Sequence, residues 1–395
     1  MSDWRQVSLS EVVTRVTTKN VDGANENVLT VSAGHGLIAQ ESFFTRKIAS
    51  KDTSGYYVVS PGQFVYNKST SKSAAYGTVA RNLSDEPGVV SPLYFVFEAK
   101  AGAALPEYLE LALNSDQFFG SLAGTLREGA RTHGLLNVRL KEFYAATVTL
   151  PPVPLQERIA EVIGSVDDQI TALDTEADAS DALLAGRKEE LFAHYGTTGT
   201  TLQIGEILEE IKRPIIVAPD AEYRQIGIRS HGRGLFTKEA VTGESLGSKK
   251  VFWIEPGDLV INIVFAWEGA VAIVPPEIEG YCGSHRFPAY RRLDGGDVEF
   301  FRLFFSTKTG TRLLASCSPG GAGRNRTLNR KRLMQSRVGI PSAQEQERAI
   351  CELQAMEAAV MTVHAEADRL RSVRTALLSG LLDRTIEIES AELEV

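Results

Sequence analysis

The feature that most constrains this chain is a long helical stretch that occurs twice. The first copy starts with LPPVPLQERI (150–159) and runs to Tyr195 without another proline or turn cluster. Because proline disrupts helices, its prolines predict a helix that begins at Leu155 and not earlier. Apolar or small residues then recur mostly in steps of three and four, which is typical of a narrow coiled-coil seam. The seam consists of Ile159, Val162, Val166, Ile170, Leu173, Ala177, Ser180, Leu184 and Leu191.

The second copy starts with IPSAQEQERAI (340–350) and repeats the pattern Pro-x4-Gln-Glu-Arg 190 positions later. A seam this narrow cannot be buried by its own helix, so we predict that the two helices pack on each other, antiparallel. Two separate bundle helices are the alternative. The second seam consists of Ile350, Leu353, Val360, Val363, Ala367, Leu370, Leu377 and Leu381.

The segments that precede the helices repeat as well. SPGQFVYN (60–67) matches EPGDLVIN (255–262), displaced by 195, and both predict a tight turn that leads into a buried strand. Residues 321–329 likewise match 129–137, displaced by 192. We infer that a unit of about 190 residues, a globular part followed by a helix, was duplicated and then diverged.

Short β-rich runs separated by Gly, Pro and Ser predict that each globular part mixes strands and helices. A helix is predicted from Pro106 to Leu122. The predicted strands are Val28–Val31, Tyr56–Ser60, Gln63–Tyr66, Leu93–Phe97 and Ala146–Leu150.

The predicted fold class is therefore α/β (α+β), with two duplicated globular domains separated by two long antiparallel coiled-coil helices in a pseudo-twofold arrangement. The predicted boundaries are 1–150 for the first globular domain, 151–196 for the central helix, 197–340 for the second domain, 341–384 for the C-terminal helix and 385–395 for an acidic tail.

Composition is that of a soluble globular protein, with 395 residues of which 43% are hydrophobic. No signal peptide and no apolar run long enough to span a bilayer is recognisable, so we expect a cytoplasmic protein without membrane contact. The cysteines Cys282, Cys317 and Cys351 are far apart, which indicates neither a disulfide framework nor a zinc site.

Charge is distributed unevenly along the chain. The net charge is −8, but residues 155–195 and 343–395 together carry −13, which leaves +5 for the rest. DNA phosphates would be repelled by the helices and attracted by the globular parts, as expected for a spacer that stands off from DNA. Alternatively, the acidic side chains are simply the solvated faces of the helices.

Catalytic motifs are absent from the sequence. It contains no GxxxxGK[ST] loop, no strand-bounded GxGxxG and no HExxH, and its six histidines show no metal-ligand spacing. We therefore predict no catalytic residue, no metal site and no cofactor bound by this chain.

Basic residues in the globular parts are the candidates for DNA contact. Arg324, Arg326, Arg330 and Lys331 lie in one Gly/Asn-rich segment, where backbone N–H groups and guanidinium forks can reach phosphates and base edges. Arg127 and Arg131 occupy the matching segment of the first copy; a solvated face is the alternative. Further candidates are Arg46, Lys47, Lys68, Lys72, Arg229, Arg233, Lys249, Lys250 and Arg286.

The combination of LPPVPLQERI, a long helix, a diverged second domain, IPSAQEQERAI and a second helix resembles the specificity subunit of type I restriction-modification systems. This resemblance implies two target recognition domains, each reading one half of a bipartite, asymmetric double-stranded DNA target, with the helices setting the gap. It also implies that two modification (methyltransferase) subunits dock along the helices. The resemblance further implies a prokaryotic, nucleoid-associated protein.

The cofactors implied by the resemblance belong to partner subunits. S-adenosylmethionine would enter with the modification subunits for adenine methylation, and ATP and Mg with restriction/translocase subunits, where these are present. One departure is that 166–170 (VDDQI) corresponds to 356–360 (MEAAV), which bears on whether both helices contact the modification subunits equivalently. The alternative function is a coiled-coil scaffold or adaptor without a DNA role, and the missing motifs disfavour a standalone nuclease or methyltransferase.

Overall fold

The protein is described from a computed structural model, which covers residues 4–32, 34, 36–43, 52–69, 74–123, 136, 138–320 and 326–388. Contacts divide the chain into a first unit, Met1–Ala172 with Glu366–Val395, and a second unit, Leu173–Ala365. In the part of the chain described, no helix is long and apolar enough to cross a membrane.

The first unit mixes short strands and short helices, as predicted. Its strands are β1 (Arg5–Ser8), β2 (Val13–Val16), β3 (Leu29–Ser32), β4 (Gly36–Ala39), β5 (Tyr57–Val59), β6 (Phe64–Asn67), β7 (Thr78–Arg81), β8 (Gly88–Val90), β9 (Phe95–Ala99) and β10 (Thr147–Leu150). Its short helices are Leu9–Val12, Gln40–Phe43, Pro106–Leu113, Asp116–Ala123 and Leu140–Ala145.

The second unit repeats this plan. Its strands are β11 (Thr200–Gln203), β12 (Leu208–Ile211), β13 (Glu222–Tyr223), β14 (Ile226–Ile228), β15 (Leu235–Thr237), β16 (Val241–Thr242), β17 (Val251–Trp253), β18 (Leu259–Ile261), β19 (Val271–Ile273), β20 (Cys282–Ser284), β21 (Ala289–Arg292) and β22 (Arg337–Ile340). Its short α-helices are Gly243–Leu246, Glu299–Ser306, Lys308–Ser316 and Arg330–Gln335, and its 3₁₀ turns are Ile204–Glu206, Ala266–Glu268 and Pro276–Ile278.

Sheet topology confirms the predicted duplication. The first unit has a four-stranded antiparallel sheet of order β2-β9-β6-β7, and the second has the same sheet in the order β12-β21-β18-β19. In each unit the first strand pairs with the last, β1 with β10 and β11 with β22. The hairpins β3-β4 and β14-β15 also correspond, as do the pairs β5-β8 and β17-β20.

One isolated β-bridge in each unit identifies equivalent residues of the two units. Val28 pairs in parallel with Val89 in the first unit, and Gln225 pairs in parallel with Cys282 in the second. The displacement is therefore 197 at the first of these positions and 193 at the second. The second value lies within the range of 190 to 195 that the sequence repeats gave, and the first exceeds it by two residues.

The predicted single helix from Pro106 to Leu122 is wrong, because two helices, Pro106–Leu113 and Asp116–Ala123, replace it. The break lies at Asn114 and Ser115. The Asn114 side chain exchanges hydrogen bonds with the backbone of Val79 at 2.8 and 2.9 Å, and the Ser115 hydroxyl accepts one from the Phe118 N–H. The local bond of Ser115 competes with the helical ladder, and the bonds of Asn114 tie the end of the first helix to β7.

The central helix spans Val153–Thr198 and the C-terminal helix spans Ala343–Leu382. The prediction that the prolines exclude helix before Leu155 is wrong by two residues. Pro154 lies in the first turn, where the N–H that proline lacks would have no intrahelical partner, so the helix tolerates it. The carbonyl of Pro152 accepts hydrogen bonds from the N–H groups of Leu155 and Gln156 at 2.9 and 3.0 Å.

The two long helices pack antiparallel within each unit, as predicted. In the first unit, Ile159 and Ile163 share a core with Leu378 and Leu381, and further along the Arg374 guanidinium donates to Asp167 at 2.8 Å. In the second unit, the ion pairs Arg187–Glu352 and Asp181–His364 show the same antiparallel packing, because residue numbers fall along the central helix as they rise along the C-terminal helix. The seam also includes the buried side chains of Ile163, Phe192 and Tyr195, which the spacing did not predict.

Candidate nucleic-acid interface

A concave site of about 520 Å³ lies in the second unit and is called the cleft below. It lies where the β14-β15 hairpin, the end of β18 and the turn after β20 meet. Three aromatic rings, those of Phe236, Phe265 and Phe287, line it together with polar side chains. The polar lining consists of Gln225, Lys238, Lys249, Asn262, Ser284, His285 and Arg286.

Glycine at position 227 is required for this wall of the cleft. Gly227 in β14 pairs with Phe236 in β15, and the phenyl ring lies over the glycine. A Cβ atom at position 227 would lie 2.2 Å from the ring carbon Cζ of Phe236, so any side chain there would displace the ring. The aromatic wall therefore depends on the missing side chain.

The cleft is electrostatically positive. Lys238, Lys249 and Arg286 line it, whereas no Asp or Glu does. Within the described ranges these three cations form no ion pair. A concave surface with unpaired charges of one sign concentrates the field and attracts an anionic ligand.

Three other arginines of the second unit, Arg213, Arg291 and Arg292, are held by carboxylates. Arg213 and Arg291 both donate to the fully buried Asp258, at 2.7 Å each. Arg292 is paired with Asp294, and the guanidinium of Arg292 holds the pKa of that carboxyl well below its usual range. These arginines are therefore neutralised by carboxylates, whereas the cations of the cleft are not paired with any described residue.

Two amide side chains give the cleft hydrogen-bonding specificity. The Asn262 Oδ1 accepts the backbone N–H of Val264 at 3.1 Å, which fixes the amide at the end of β18. In the described part of the chain, its amide nitrogen and the side chain of Gln225 have no hydrogen-bond partner. Asn and Gln amides are suited to adenine, whose N6 and N7 form a matching donor and acceptor pair.

Two arginines stack on aromatic rings beside the cleft. The guanidinium of Arg229 lies 5.1 Å from the ring centroid of Phe236 and donates to the carbonyl of Leu235. The guanidinium of Arg326 lies 5.1 Å from the ring centroid of Trp267. The indole N–H of Trp267 donates to the carbonyl of Val264, which lines the cleft. Stacking holds a guanidinium in place and leaves N–H groups at its edge for a ligand.

The structure therefore places four predicted residues in or beside one cleft: Lys249 and Arg286 in its lining, Arg229 and Arg326 next to it. Arg330 is instead paired with Glu210 at 2.6 Å. Arg233, Lys250 and Lys331 are exposed but do not line the cleft. The remaining candidates of the second repeat and most of the first lie outside the described residues: Arg46, Lys47, Lys72, Arg127, Arg131 and Arg324.

Lys68 is the described candidate of the first unit. Its ammonium lies 4.8 Å from the ring centroid of Phe95, and burial lowers its pKa. Its carbonyl accepts the N–H of Leu136 at 3.0 Å, as the carbonyl of Ile263 accepts that of Leu328 in the second unit at 2.8 Å.

Sequence reasoning missed Gln225, Lys238 and Asn262. A usable signal existed for Asn262, because it matches Asn67 of the first unit at the same strand end, and both are buried. Lys238 and Gln225 carry no motif, and only the hairpin brings them to the cleft.

No metal site is evident in the described residues, since no group of three or more His, Cys, Asp or Glu side chains converges there. The cleft contributes lysine, arginine and amide side chains, which suit an anion and not a cation.

Comparison with solved structures defines the class of fold. A chain from a study of complex assembly and conformational transition of the type I R-M system aligns over 96% of this chain and 97% of that one, with a TM-score of 0.57 and 16% identity. The S subunit of a type I restriction-modification system from M. genitalium aligns over 98% and 97%, with a TM-score of 0.54 and 13% identity. The chain thus has the fold of type I specificity subunits.

Sequence comparison gives a relative in the same class. The specificity subunit of the type I restriction enzyme HindI from Haemophilus influenzae is 25% identical over 176 residues, which are 43% of this chain and 36% of that protein. The match therefore spans about a third of the relative's length. No protein-family model matches the chain. The resemblance that the two helix-start motifs indicated is confirmed.

Proposed function

We propose that this chain is the non-catalytic DNA-recognition subunit of a type I restriction-modification complex. Its two globular units each read one half of a bipartite, asymmetric target, and it works on chromosomal DNA in the cytoplasm. The observation that carries the proposal is the cleft of the second unit, in which unpaired Lys238, Lys249 and Arg286 surround free amides and aromatic rings. Cations supply affinity for phosphates, and amides and guanidinium groups distinguish bases.

The long helices are proposed to set the spacing of the half-sites and to bind two modification subunits, which bring S-adenosylmethionine. Leu183 of the central helix and Met361 of the C-terminal helix support docking, since they are 66% and 71% exposed. They lie between the pairs Lys188–Glu357 and Asp181–His364, in the same stretch of the antiparallel packing. Restriction subunits would add ATP- and Mg-dependent activity.

Titration of the purified full chain with duplexes at several salt concentrations tests DNA recognition. We expect affinity that falls steeply with salt, and a double variant Lys238→Ala/Lys249→Ala whose log–log salt slope is shallower by about 2, one for each phosphate contact removed. Arg312→Ala is the matched control, because Arg312 is exposed in the same unit outside the cleft. Binding to partner proteins without salt-sensitive DNA affinity would instead favour the adaptor function.

Mapping of modified adenines tests the bipartite target. Cells that express this chain with a type I modification subunit should carry methylated adenines in two short sequences at a fixed separation. A single continuous target, or methylation unchanged by deletion of this chain, would contradict the proposal.

A further inference from the structure

The turns that follow β8 and β20 have the same hydrogen bonds. In the first unit the Ser91 hydroxyl accepts the N–H of Leu93 at 3.3 Å, and the Ser91 carbonyl accepts that of Tyr94 at 3.0 Å. In the second unit Ser284 accepts the N–H groups of Arg286 and Phe287 in the same way, at 3.3 and 2.9 Å. The bridges Val28–Val89 and Gln225–Cys282 independently give the same alignment of the two units, because Val89 and Cys282 each precede the serine of the turn by two residues.

Leu93 and Arg286 are therefore equivalent residues on identical turns. Both side chains are exposed, Leu93 to 55%. The serine that shapes the turn and the aromatic residue after it are kept in type, whereas the presented side chain changes from apolar to cationic. The other exposed position of the turn also differs, Pro92 in the first unit and His285 in the second. A constant frame that carries variable exposed side chains is what two readers of different sequences require.

Near the two turns, as at the turns themselves, a cationic side chain of the second unit corresponds to a neutral one of the first. Lys238 of the second unit donates its backbone N–H to the carbonyl of Gln225, and Gln40 of the first unit donates to that of Val28, so the cation Lys238 corresponds to a neutral amide. Asn262 and its counterpart Asn67 remain asparagine. At these equivalent positions the buried asparagine is therefore kept, whereas the charge of its neighbours changes.

We propose that these turns present one specificity-determining side chain in each unit, Leu93 in the first and Arg286 in the second. This inference rests on the proposed DNA-recognition function. A guanidinium fork matches the O6 and N7 acceptors of guanine, whereas an exposed isobutyl group offers no hydrogen bond and favours the 5-methyl group of thymine. Arg286 reads a guanine in one half-site, and Leu93 reads a thymine in the other.

Selection from a randomised duplex library by the purified full chain tests the assignment. Arg286→Leu removes the preference for guanine at one position of one half-site, a loss of about 10- to 100-fold, and leaves the other half-site unchanged. Leu93→Arg replaces a thymine preference by guanine in the opposite half-site. Arg286→Lys keeps the charge but loses the fork, so it retains affinity and loses most of the guanine preference.

Substitution of deoxyuridine for thymidine in the selected duplex provides a second readout. Removal of the 5-methyl group weakens binding of the native chain and leaves the affinity of Leu93→Arg unchanged. Leu83→Arg and Arg312→Leu are matched controls, each an exposed position of the same unit outside these turns, and both keep the native preferences.

The outcomes separate this assignment from the proposed function. Selective binding by the native chain with preferences that neither turn variant alters overturns the assignment and leaves DNA recognition in place. Failure of the native chain to select any sequence overturns both.

Discussion

Arg302 and Glu357 form a two-bond ion pair between a short helix of the second unit and the C-terminal helix: Nη2 to Oε2 at 2.5 Å and Nη1 to Oε1 at 3.3 Å. Both side chains are largely buried, with exposures of 22% and 23%. Lys188 of the central helix donates to the same carboxylate at 2.6 Å. Glu357 therefore joins the globular part of this unit to both long helices.

Neutralising Glu357 should destabilise the second unit. We expect Glu357→Gln to lower the free energy of unfolding by about 2–4 kcal/mol, because Arg302 and Lys188 lose a shared, partly buried counter-charge. Denaturant unfolding of the full chain measures the change. Glu347→Gln, on the exposed face of the same helix, should change stability by less than about 0.5 kcal/mol. Equal effects of the two variants would show that the pair contributes nothing specific.

Stability should respond to pH with opposite signs at Glu357 and Glu110. Burial raises the pKa of Glu357, but hydrogen bonds and charge from Arg302 and Lys188 outweigh it, so the pKa lies below its ordinary 4.5. The stabilisation is thus complete above pH 4.5 and is lost as pH falls through the lowered pKa. Burial raises the pKa of Glu110, whose charged form therefore costs stability above its raised pKa and no longer does so below pH 4.5.

Two neutral variants separate these contributions. Below pH 4.5, Glu357→Gln should flatten the acid-induced loss of stability. Between neutral pH and pH 4.5, Glu110→Gln should steepen that loss, since the native chain regains stability when Glu110 binds its proton. Urea midpoints at a series of pH values measure both slopes. Slopes that change in the same direction would contradict the assignment of signs.

The glutamines of the two helix-start motifs should each stabilise their own unit. Gln156 Nε2 donates to the Pro151 carbonyl at 2.8 Å and Gln346 Nε2 to that of Pro341 at 3.0 Å. Both side chains are buried, so replacement by alanine leaves backbone groups without partners and should cost about 1–3 kcal/mol. Thermal unfolding measures the loss.

A control exists on the central helix. Gln169→Ala, at an exposed position, should leave the unfolding midpoint nearly unchanged. The two glutamines differ in the donor that their Oε1 atom accepts. Gln156 accepts a hydrogen bond from the backbone N–H of Leu105, and Gln346 accepts one from the guanidinium of Arg292. Replacement of Arg292 by lysine should therefore weaken the second unit alone.

Arg326 should contribute to reading one half-site. Arg326 stacks on Trp267 and forms no hydrogen bond with another described residue, and loss of a guanine contact in Arg326→Ala should cost about 1–3 kcal/mol at one base position. Affinities for duplexes that differ at single positions measure it. A uniform loss across all sequences would assign Arg326 to a phosphate.

Lengthening both long helices should lengthen the gap between methylated half-sites. Seven residues added to each helix, between the pairs Asp181–His364 and Asp167–Arg374, amount to about 10 Å, or about three base pairs. Adenine-modification mapping should show the longer gap with unchanged half-sites. Insertion into one helix alone should reduce stability, because it breaks the opposed register of the ion pairs. Altered half-site sequences would show that the helices take part in base reading.

The long helices and the duplication could be predicted because their signals are periodic in the sequence itself. Seam residues such as Leu353 and Ala367 repeat at helical spacing, and the motif Pro-x4-Gln-Glu-Arg recurs with its glutamine in the same bonded position. The cleft could not be predicted as a unit, because Lys238, Lys249 and Arg286 come from three elements that only strand pairing brings together. The break at Asn114 was missed for the same reason, since its partner Val79 is distant in sequence.

The pairing of the first strand of each unit with its last, Arg5–Ser8 with Thr147–Leu150 and Thr200–Gln203 with Arg337–Ile340, places both ends of each globular part side by side. In a globular part closed in this way, loops can be enlarged while the last strand, and with it the start of the helix that follows, stays beside the first strand. Under the proposed function, recombination between such chains at the paired strands would exchange the part that reads one half-site in a single event.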